Sequence, residues 1–390
     1  MRILFLALDT DIHAPRGDGV HVRELAQGLA RLGHEVRVLS ATQKGRAFEG
    51  ITHFRRPDST LGQLAATRKH GGAWADVIYE RRMSPKISFL ASALNRIPFV
   101  VEMNGVLDDE LRSLGARAPM AGNAARASLR ALMLHAASHV VAVSDGIRDD
   151  LIRRYGLASV KVSTIPNGAN VDLFQPRNQR SERARLGLQT DGKYVSFVGN
   201  LVPWQGVEIL IRACALLRDS FPELRVLIVG DGPEAGRIRS LAEDLNFLDR
   251  MVVAGSVPYA DVPSFINASD VCAAPFIAAR KASPIKVYEA LACARPVVAS
   301  DVDGIGELLR SWSAGLAVEP ESPPILAEAI EWILLHPDEA AAMGARGRER
   351  VVNDRSWKTT ASAVAGVLEK ARIGFVPDDP WRSNRTTASP

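Results

Sequence analysis

The chain has 390 residues, of which 47% are hydrophobic and 24% charged, with 48 Lys/Arg against 44 Asp/Glu for a net charge of +4. Those fractions are ordinary for a soluble globular protein, the length exceeds what one core usually supports, and no run of eighteen apolar residues exists to span a membrane. Cys214, Cys272 and Cys293 are few, odd in number and set in apolar surroundings, which reads as reduced core cysteines of a cytosolic protein.

In chain order, residues 2–8 read as a strand. A strand fits better than a signal peptide, because Asp9 and Asp11 follow at once, without a long apolar region or a small-residue cleavage site. Gly17-Asp18-Gly19 reads as a flexible loop. Residues 20–32 predict an amphipathic helix with Val22, Leu25, Ala26 and Leu29 on one face, ended by Gly33, and residues 35–40 predict the next strand. The short apolar runs 76–79, 99–102, 139–143 and 160–165 are typical of parallel strands buried on both faces. Pro166-Asn167-Gly168 turns the chain, and the polar stretch 176–190 predicts an inter-domain linker.

The second half restarts the rhythm. Strands are predicted over 194–198, 224–229, 251–254, 271–274 and 316–318, and helices over 207–217, 262–268, 324–335 and 357–372. Gly230-Asp231-Gly232-Pro233 is a tight turn into a further helix. Residues 373–390, rich in Pro, Asp, Ser and Thr, read as a disordered tail. Two successive α/β units imply two doubly wound parallel sheets, whose ligands bind at the C-terminal ends of the strands.

The most informative stretch is 283–300. Ser283 suits an N-cap and Pro284 the first helical position, while Val287, Ala290, Leu291 and Ala294 make one apolar stripe. Pro296 stops the helix and Val297-Val298-Ala299 reads as a strand. Lys286 and Glu289 share an adjacent face, so free N–H groups and a lysine point to one place with a carboxylate a turn deeper. Such a helix start attracts phosphate, and the carboxylate beneath it can accept hydrogen bonds from sugar hydroxyls, as a nucleoside diphosphate needs. The same pattern also fits a capped surface helix with an i,i+3 ion pair.

These pieces resemble a known family. Gly17-Asp18-Gly19-Val20-His21-Val22, Gly33-His34-Glu35-Val36, Ile165-Pro166-Asn167-Gly168, Val198-Gly199-Asn200-Leu201, Trp204-Gln205-Gly206-Val207, Val229-Gly230-Asp231-Gly232-Pro233 and 283–299 are similar, in order, to glycosyltransferase family 4, the retaining transferases of GT-B architecture. The resemblance spans residues 1–372. It implies two Rossmann-like domains facing each other across a cleft: 1–180 holding the acceptor, 181–356 holding a nucleotide-diphosphate sugar, and a helix over 357–372 crossing back to the first.

By the same resemblance, Glu289 binds the donor ribose, and Ser283, Pro284, Ile285 and Lys286 hold the diphosphate. Gly17 and Gly19 form the flexible loop that approaches the sugar phosphate, and Gly230 and Gly232 belong to the donor side. Four positions depart from the family pattern. A first glutamate is replaced by Lys281, an arginine by Asn200, a lysine by Gln205, and a first-domain histidine by Asn104. The two cations missing at Asn200 and Gln205 normally neutralise the leaving diphosphate, and Arg280, Lys281 and Lys286 are the obvious substitutes.

The mechanism implied is front-face transfer with retention, the diphosphate acting as base, without cofactor or metal. Asp9-Thr10-Asp11 and Asp301-Val302-Asp303 imitate a metal-binding acidic pair, but no further ligands cluster near them in sequence. The expected partners are a nucleotide sugar donor and a sugar, lipid-linked or small-molecule acceptor, with no nucleic acid. Residues 1–175 hold 23 Lys/Arg and 17 Asp/Glu, which leaves 25 and 27 for the remainder. That basic first half suits an anionic membrane face or a phosphorylated acceptor, and equally a solvated surface. The expected location is cytoplasmic, with peripheral contact at the inner membrane face as an option. The missing cations and histidine leave open a catalytically silent GT-B subunit that binds nucleotide or another transferase, and a nucleotide-sugar epimerase of similar architecture is a third reading.

Overall fold

The computed structural model describes residues 1–14, 16–42, 48–81, 85–105, 123–277 and 283–375. Seven parallel strands form the first sheet: β1 (Arg2–Ala7), β2 (Glu35–Ser40), β3 (Ile51–Arg55), β4 (Val77–Arg81), β5 (Phe99–Met103), β6 (His139–Ala142) and β7 (Val162–Thr164), in the order 3-2-1-4-5-6-7. The unbroken apolar run of β1 serves two cores at once. Ile3, Phe5 and Ala7 pack with Val22, Leu25 and Leu29 of helix α1 (Gly17–Arg31), whereas Leu4, Leu6 and Leu8 pack with residues of the opposite layer such as Ile87 and Leu151. That layer holds α2 (Thr60–Gly71), α3 (Lys86–Asn95), α4 (Asn123–Ala136) and α5 (Asp145–Tyr155).

Six parallel strands form the second sheet: β8 (Lys193–Val198), β9 (Leu224–Val229), β10 (Met251–Gly255), β11 (Val271–Ala274), β12 (Val297–Ser300) and β13 (Gly315–Val318), in the order 10-9-8-11-12-13. Its helices are α6 (Gln179–Arg185), α7 (Val207–Leu216), α8 (Ala235–Asp244), α9 (Val262–Ala268), α10 (Ile285–Ala292), α11 (Ile305–Trp312), α12 (Pro323–Leu335) and α13 (Pro337–Asp354). A last helix, α14 (Trp357–Gly374), returns to the first sheet. Its stripe Trp357, Ala361, Val364, Leu368 and Ala371 joins the core under α1, and the Ser356 hydroxyl caps it by accepting from the Thr359 N–H. Two Rossmann-like sheets and a returning helix make the GT-B architecture expected from the resemblance.

Several expectations are corrected. Gly17-Asp18-Gly19 is the first turn of α1 and no loop. The stretch 176–190 holds α6, tied to the second sheet by Arg183, whose buried guanidinium donates to the Ala268 carbonyl and to Asp270, both at 2.8 Å. The last helix extends through residues 373 and 374, which the tail was expected to include, and residues 376–390 lie outside the described ones. Ser283 is not the cap of α10. That helix begins at Ile285 after Pro284, and it ends at Ala292, with Ala294 left-handed at φ 54° before Pro296 is reached.

Candidate active site

In each sheet the strand order reverses beside its first strand, between β1 and β4 and between β8 and β11, which is where a doubly wound sheet opens a crevice. Residues at or just beyond the strand ends of both sheets line one cavity of about 680 Å³. They include Arg81, Asn104 and Val143 from the first sheet, and Gly199, Gly230 and Val257 from the second. Two helix N-termini open into it, Gly17 of α1 from one side and Ile285 of α10 from the other. Their unpaired N–H groups and dipoles favour an anion between them.

On the second-domain wall, Lys286 reaches across the ends of the strands. Its ammonium donates to Oε1 of Gln205 at 2.6 Å and lies 3.7 Å from the centre of the Phe197 ring. Burial lowers its pKa well below the ordinary lysine value, with Glu289 acting in the opposite sense. Gly199, at φ 143°, lies beside this path, and a Cβ there would come within 2.7 Å of the Lys286 Nζ. Gly230, at φ 140°, lets the β8 and β9 loops touch, since its Cβ would lie 1.9 Å from the Gly199 carbonyl oxygen. One turn deeper on α10, the buried Glu289 accepts a hydrogen bond from the Tyr259 hydroxyl at 2.9 Å. Burial pushes its carboxyl up to about 7, against the Tyr259 bond and the charges of Lys286 and Arg23.

On the first-domain wall, His21 bonds Asn167 Oδ1 through Nδ1 at 2.7 Å and Glu102 through Nε2 at 3.0 Å. Glu102 also accepts from the Tyr79 hydroxyl at 2.5 Å and from Asn104 Nδ2 at 2.6 Å. Burial works to raise the Glu102 pKa, but His21, Arg81 and Tyr79 overcome it and hold the carboxyl at about 2. Asn167 joins the walls: its backbone N–H donates to the Ser283 hydroxyl at 2.9 Å and its side-chain amide to the Ser283 carbonyl at 2.7 Å.

The fold therefore brings together Lys286, Glu289, Ser283, Pro284, Ile285, Gly17, Asn104, Asn200, Gln205 and Gly230 around one cavity. Gly19 does something else. Its Cβ would lie 2.6 Å from the carbonyls of Asp11 and Ala14, so it packs α1 onto the preceding turn. Gly232 likewise packs against Leu201. Lys286 and Glu289 take separate partners instead of making the i,i+3 ion pair. Arg280 and Lys281 lie outside the described residues. Sequence reasoning passed over His21, Glu102, Tyr259 and Arg23. His21 stands inside a quoted motif, and its place beside core-facing Val20 and Val22 was the available signal.

Comparison with known proteins agrees with this geometry. A family model described as Glycosyl transferases group 1 matches residues 178–350, and one described as Glycosyltransferase Family 4 matches residues 15–173. The chain belongs to glycosyltransferase family 4. Among relatives of this family 4 enzyme, the D-inositol 3-phosphate glycosyltransferase of Kineococcus radiotolerans is 28% identical over 95% of both chains. The alpha-maltose-1-phosphate synthase of Mycolicibacterium smegmatis is 26% identical over 95% of this chain and 99% of that one. Of solved structures, sucrose-phosphate synthase from Thermosynechococcus elongatus superposes with a TM-score of 0.78 at 21% identity, covering 96% of this chain and 100% of that one. Anabaena HepE in complex with UDP-glucose gives 0.77 at 21% identity, covering 95% and 100%. The family 4 glycosyltransferase thus carries the GT-B fold along nearly its whole length.

Proposed function

We propose that this enzyme moves a sugar, with retention and without a metal, from a nucleoside diphosphate sugar to a hydroxyl of a sugar, cyclitol or lipid-linked acceptor in glycoconjugate synthesis. The observation that carries the reading is Lys286 at the start of α10 with Glu289 one turn deeper in the cavity between the domains. Phosphates facing Lys286 and the N–H groups of α10 would place the ribose against Glu289 and the sugar toward Asn104 and His21. The bond from the anomeric carbon to the diphosphate breaks while the acceptor oxygen bonds the same face, and the acceptor proton passes to the leaving phosphate oxygen. Charge grows on that phosphate in the transition state, so Lys286 and the helix dipole act where they lower the barrier. Lys286 puts a cation where Asn200 and Gln205 lack one, which weighs against a silent subunit.

UDP-glucose bound to HepE makes uridine donors the first to try, and the phosphorylated products and acceptors in relatives' names make sugar and inositol phosphates the first acceptors. The test is transfer with a panel of donors and acceptors, with proton NMR of the new anomeric centre and EDTA present. Retention with an EDTA-insensitive rate supports the reading. Nucleotide binding without turnover on any acceptor sinks it.

A peripheral membrane contact has its own support. Leu90 and Leu94 on α3 and Leu129 and Leu132 on the neighbouring α4 are exposed, on a first domain with excess basic residues. No helix among the described residues is long and apolar enough to cross a membrane. Binding to anionic vesicles that weakens as salt rises supports the contact, and equal, negligible binding to neutral and anionic vesicles at low salt refutes it.

A further inference from the structure

We propose that Tyr259 and Arg23 are positioning residues for the donor: Tyr259 holds the Glu289 carboxylate in place, and Arg23, reaching over from the first domain, holds Tyr259. The proposal rests on the reading of Glu289 as the ribose-binding carboxylate and deepens it.

Tyr259 stands in the short 3₁₀ turn Tyr259–Asp261 that follows β10. Its hydroxyl donates to Oε1 of Glu289 at 2.9 Å, leaving Oε2 for a ligand. The ring is held by its neighbours. Phe174, in the segment between the sheets, lies 5.3 Å away centre to centre, and the Arg23 guanidinium lies 5.0 Å from the ring centre. A guanidinium over a tyrosine face is attracted by the ring quadrupole, more so where water is excluded.

Arg23 belongs to α1 and is itself tethered, its Nη1 donating to the Ile12 carbonyl at 3.2 Å. The next residue, Glu24, accepts from Asn170 Nδ2 with both oxygens, at 3.1 and 3.2 Å. Asn170 in turn accepts from the Leu173 N–H at 3.0 Å, next to Phe174. Two consecutive residues of one first-domain helix therefore grip the Tyr259 ring and the segment that packs on it. Glu289 is the far end of this chain of contacts, so its setting depends on how the first domain is seated.

The groups around Glu289 give the proposal a readout. Burial and the Glu24 charge favour its protonated form, while the Tyr259 hydrogen bond, Lys286 on its own helix and Arg23 on α1 favour the carboxylate. Ionised, Glu289 accepts from a ribose hydroxyl more strongly than the neutral acid does. Removing the Tyr259 hydroxyl or the Arg23 charge therefore moves its titration upward and weakens donor binding near neutral pH, while binding recovers in alkali. A purely structural contribution would weaken binding by the same factor at every pH.

The experiment measures the Kd of the tightest binder among UDP, GDP and ADP from pH 5.5 to 9, for wild type, Tyr259→Phe, Arg23→Gln and Glu289→Gln, with melting curves as a check on folding. From a midpoint of about 7, an upward move of roughly one unit makes Tyr259→Phe about fivefold weaker at pH 7 and near wild type at pH 9. Arg23→Gln follows in the same direction with a smaller change, and kcat at saturating donor changes less than KM in both. Glu289→Gln binds weakly and lacks the rise centred near pH 7. If Glu289→Gln binds like wild type, the ribose reading fails. If it binds weakly while Tyr259→Phe superimposes on wild type, or is offset equally at all pH values, the reading stands and the positioning role is wrong. Phe conserves the ring and its contacts, so Tyr259→Phe tests the hydroxyl alone, and Arg23→Gln tests the charge separately.

Discussion

The ammonium of Lys286 rests on the side-chain oxygen of Gln205 at 2.6 Å, so a lysine on a helix is held by the residue standing where a family 4 loop usually carries its own lysine. A neutral partner and two aromatic rings leave that charge poorly compensated, and burial lowers its proton affinity. On the proposed reading, an arriving diphosphate would supply the missing counter-charge. Lys286→Met should lower kcat by about 10²–10³, the range for losing one preorganised transition-state donor, with a smaller effect on the Kd for nucleoside diphosphate. Steady-state kinetics with a parallel binding titration reads both. Equal losses in kcat and binding would mean that Lys286 serves the ground state only.

The same pair predicts how a restored family lysine behaves. Gln205→Lys puts a second ammonium against the first, so in the wild-type background it should weaken activity and lower the melting temperature. In a Lys286→Met background the new lysine has the place to itself and should recover part of the lost kcat. The double variant outperforming Lys286→Met is the signature of one shared cation site. Additive losses would separate the two positions.

Glu102 makes a pH prediction. Its carboxyl is held at about 2 instead of the ordinary 4.5: burial opposes ionisation, and His21, Arg81 and Tyr79 more than offset it. A depressed acid contributes stability that is present above its unfolded pKa and is lost as pH falls through the folded value. The window is therefore about pH 4.5 down to 2, and its full contribution is roughly 3 kcal/mol. Urea unfolding at pH 7 and pH 3 should show wild type losing stability that Glu102→Gln does not lose. Glu102→Gln should also start roughly 3–5 kcal/mol lower at pH 7, because Arg81 loses its counter-charge. An unchanged pH slope in the variant would place acid sensitivity elsewhere.

How far the sequence carries the structure depends on the separation of the partners. Strands buried on both faces, such as β1, β9 and β11, announce themselves as unbroken apolar runs. Helix α13 does not, because it buries only Ala340, Gly344, Gly347 and Val351, small residues that leave a weak stripe. Lys286 and Glu289 are readable together because one helix carries both, three residues apart. His21, Glu102 and Asn167 are a single cluster only after β5 and the turn at Pro166 are brought beside α1. Tyr259 meets Glu289 across 30 residues and Arg23 across the cleft, so no local pattern marks it. The glycines of α1 mislead for the opposite reason. Gly17 and Gly19 look alike in sequence, yet a Cβ on Gly17 meets nothing within 4 Å and one on Gly19 would strike two carbonyls.

The seating of α1 on the returning helix gives the last prediction. A Cβ on Gly28 would lie 2.7 Å from the Cβ of Ala361, closer than side chains pack without movement. Gly28→Ala gains about 1 kcal/mol of helix propensity but forces α14 outward, an overpacking that typically costs about 1–3 kcal/mol. The clash should win, with a net loss near 1 kcal/mol and a higher donor KM, since α1 carries Gly17, Asp18 and His21 into the cavity. Adding Ala361→Gly reopens the gap. The pair should then recover both KM and part of the stability, although a glycine within α14 keeps its own cost of about 1 kcal/mol. Thermal unfolding and donor KM on the single and double variants measure the coupling. If Gly28→Ala is stabilising and KM unchanged, the contact has room to spare and α14 does not set the position of α1.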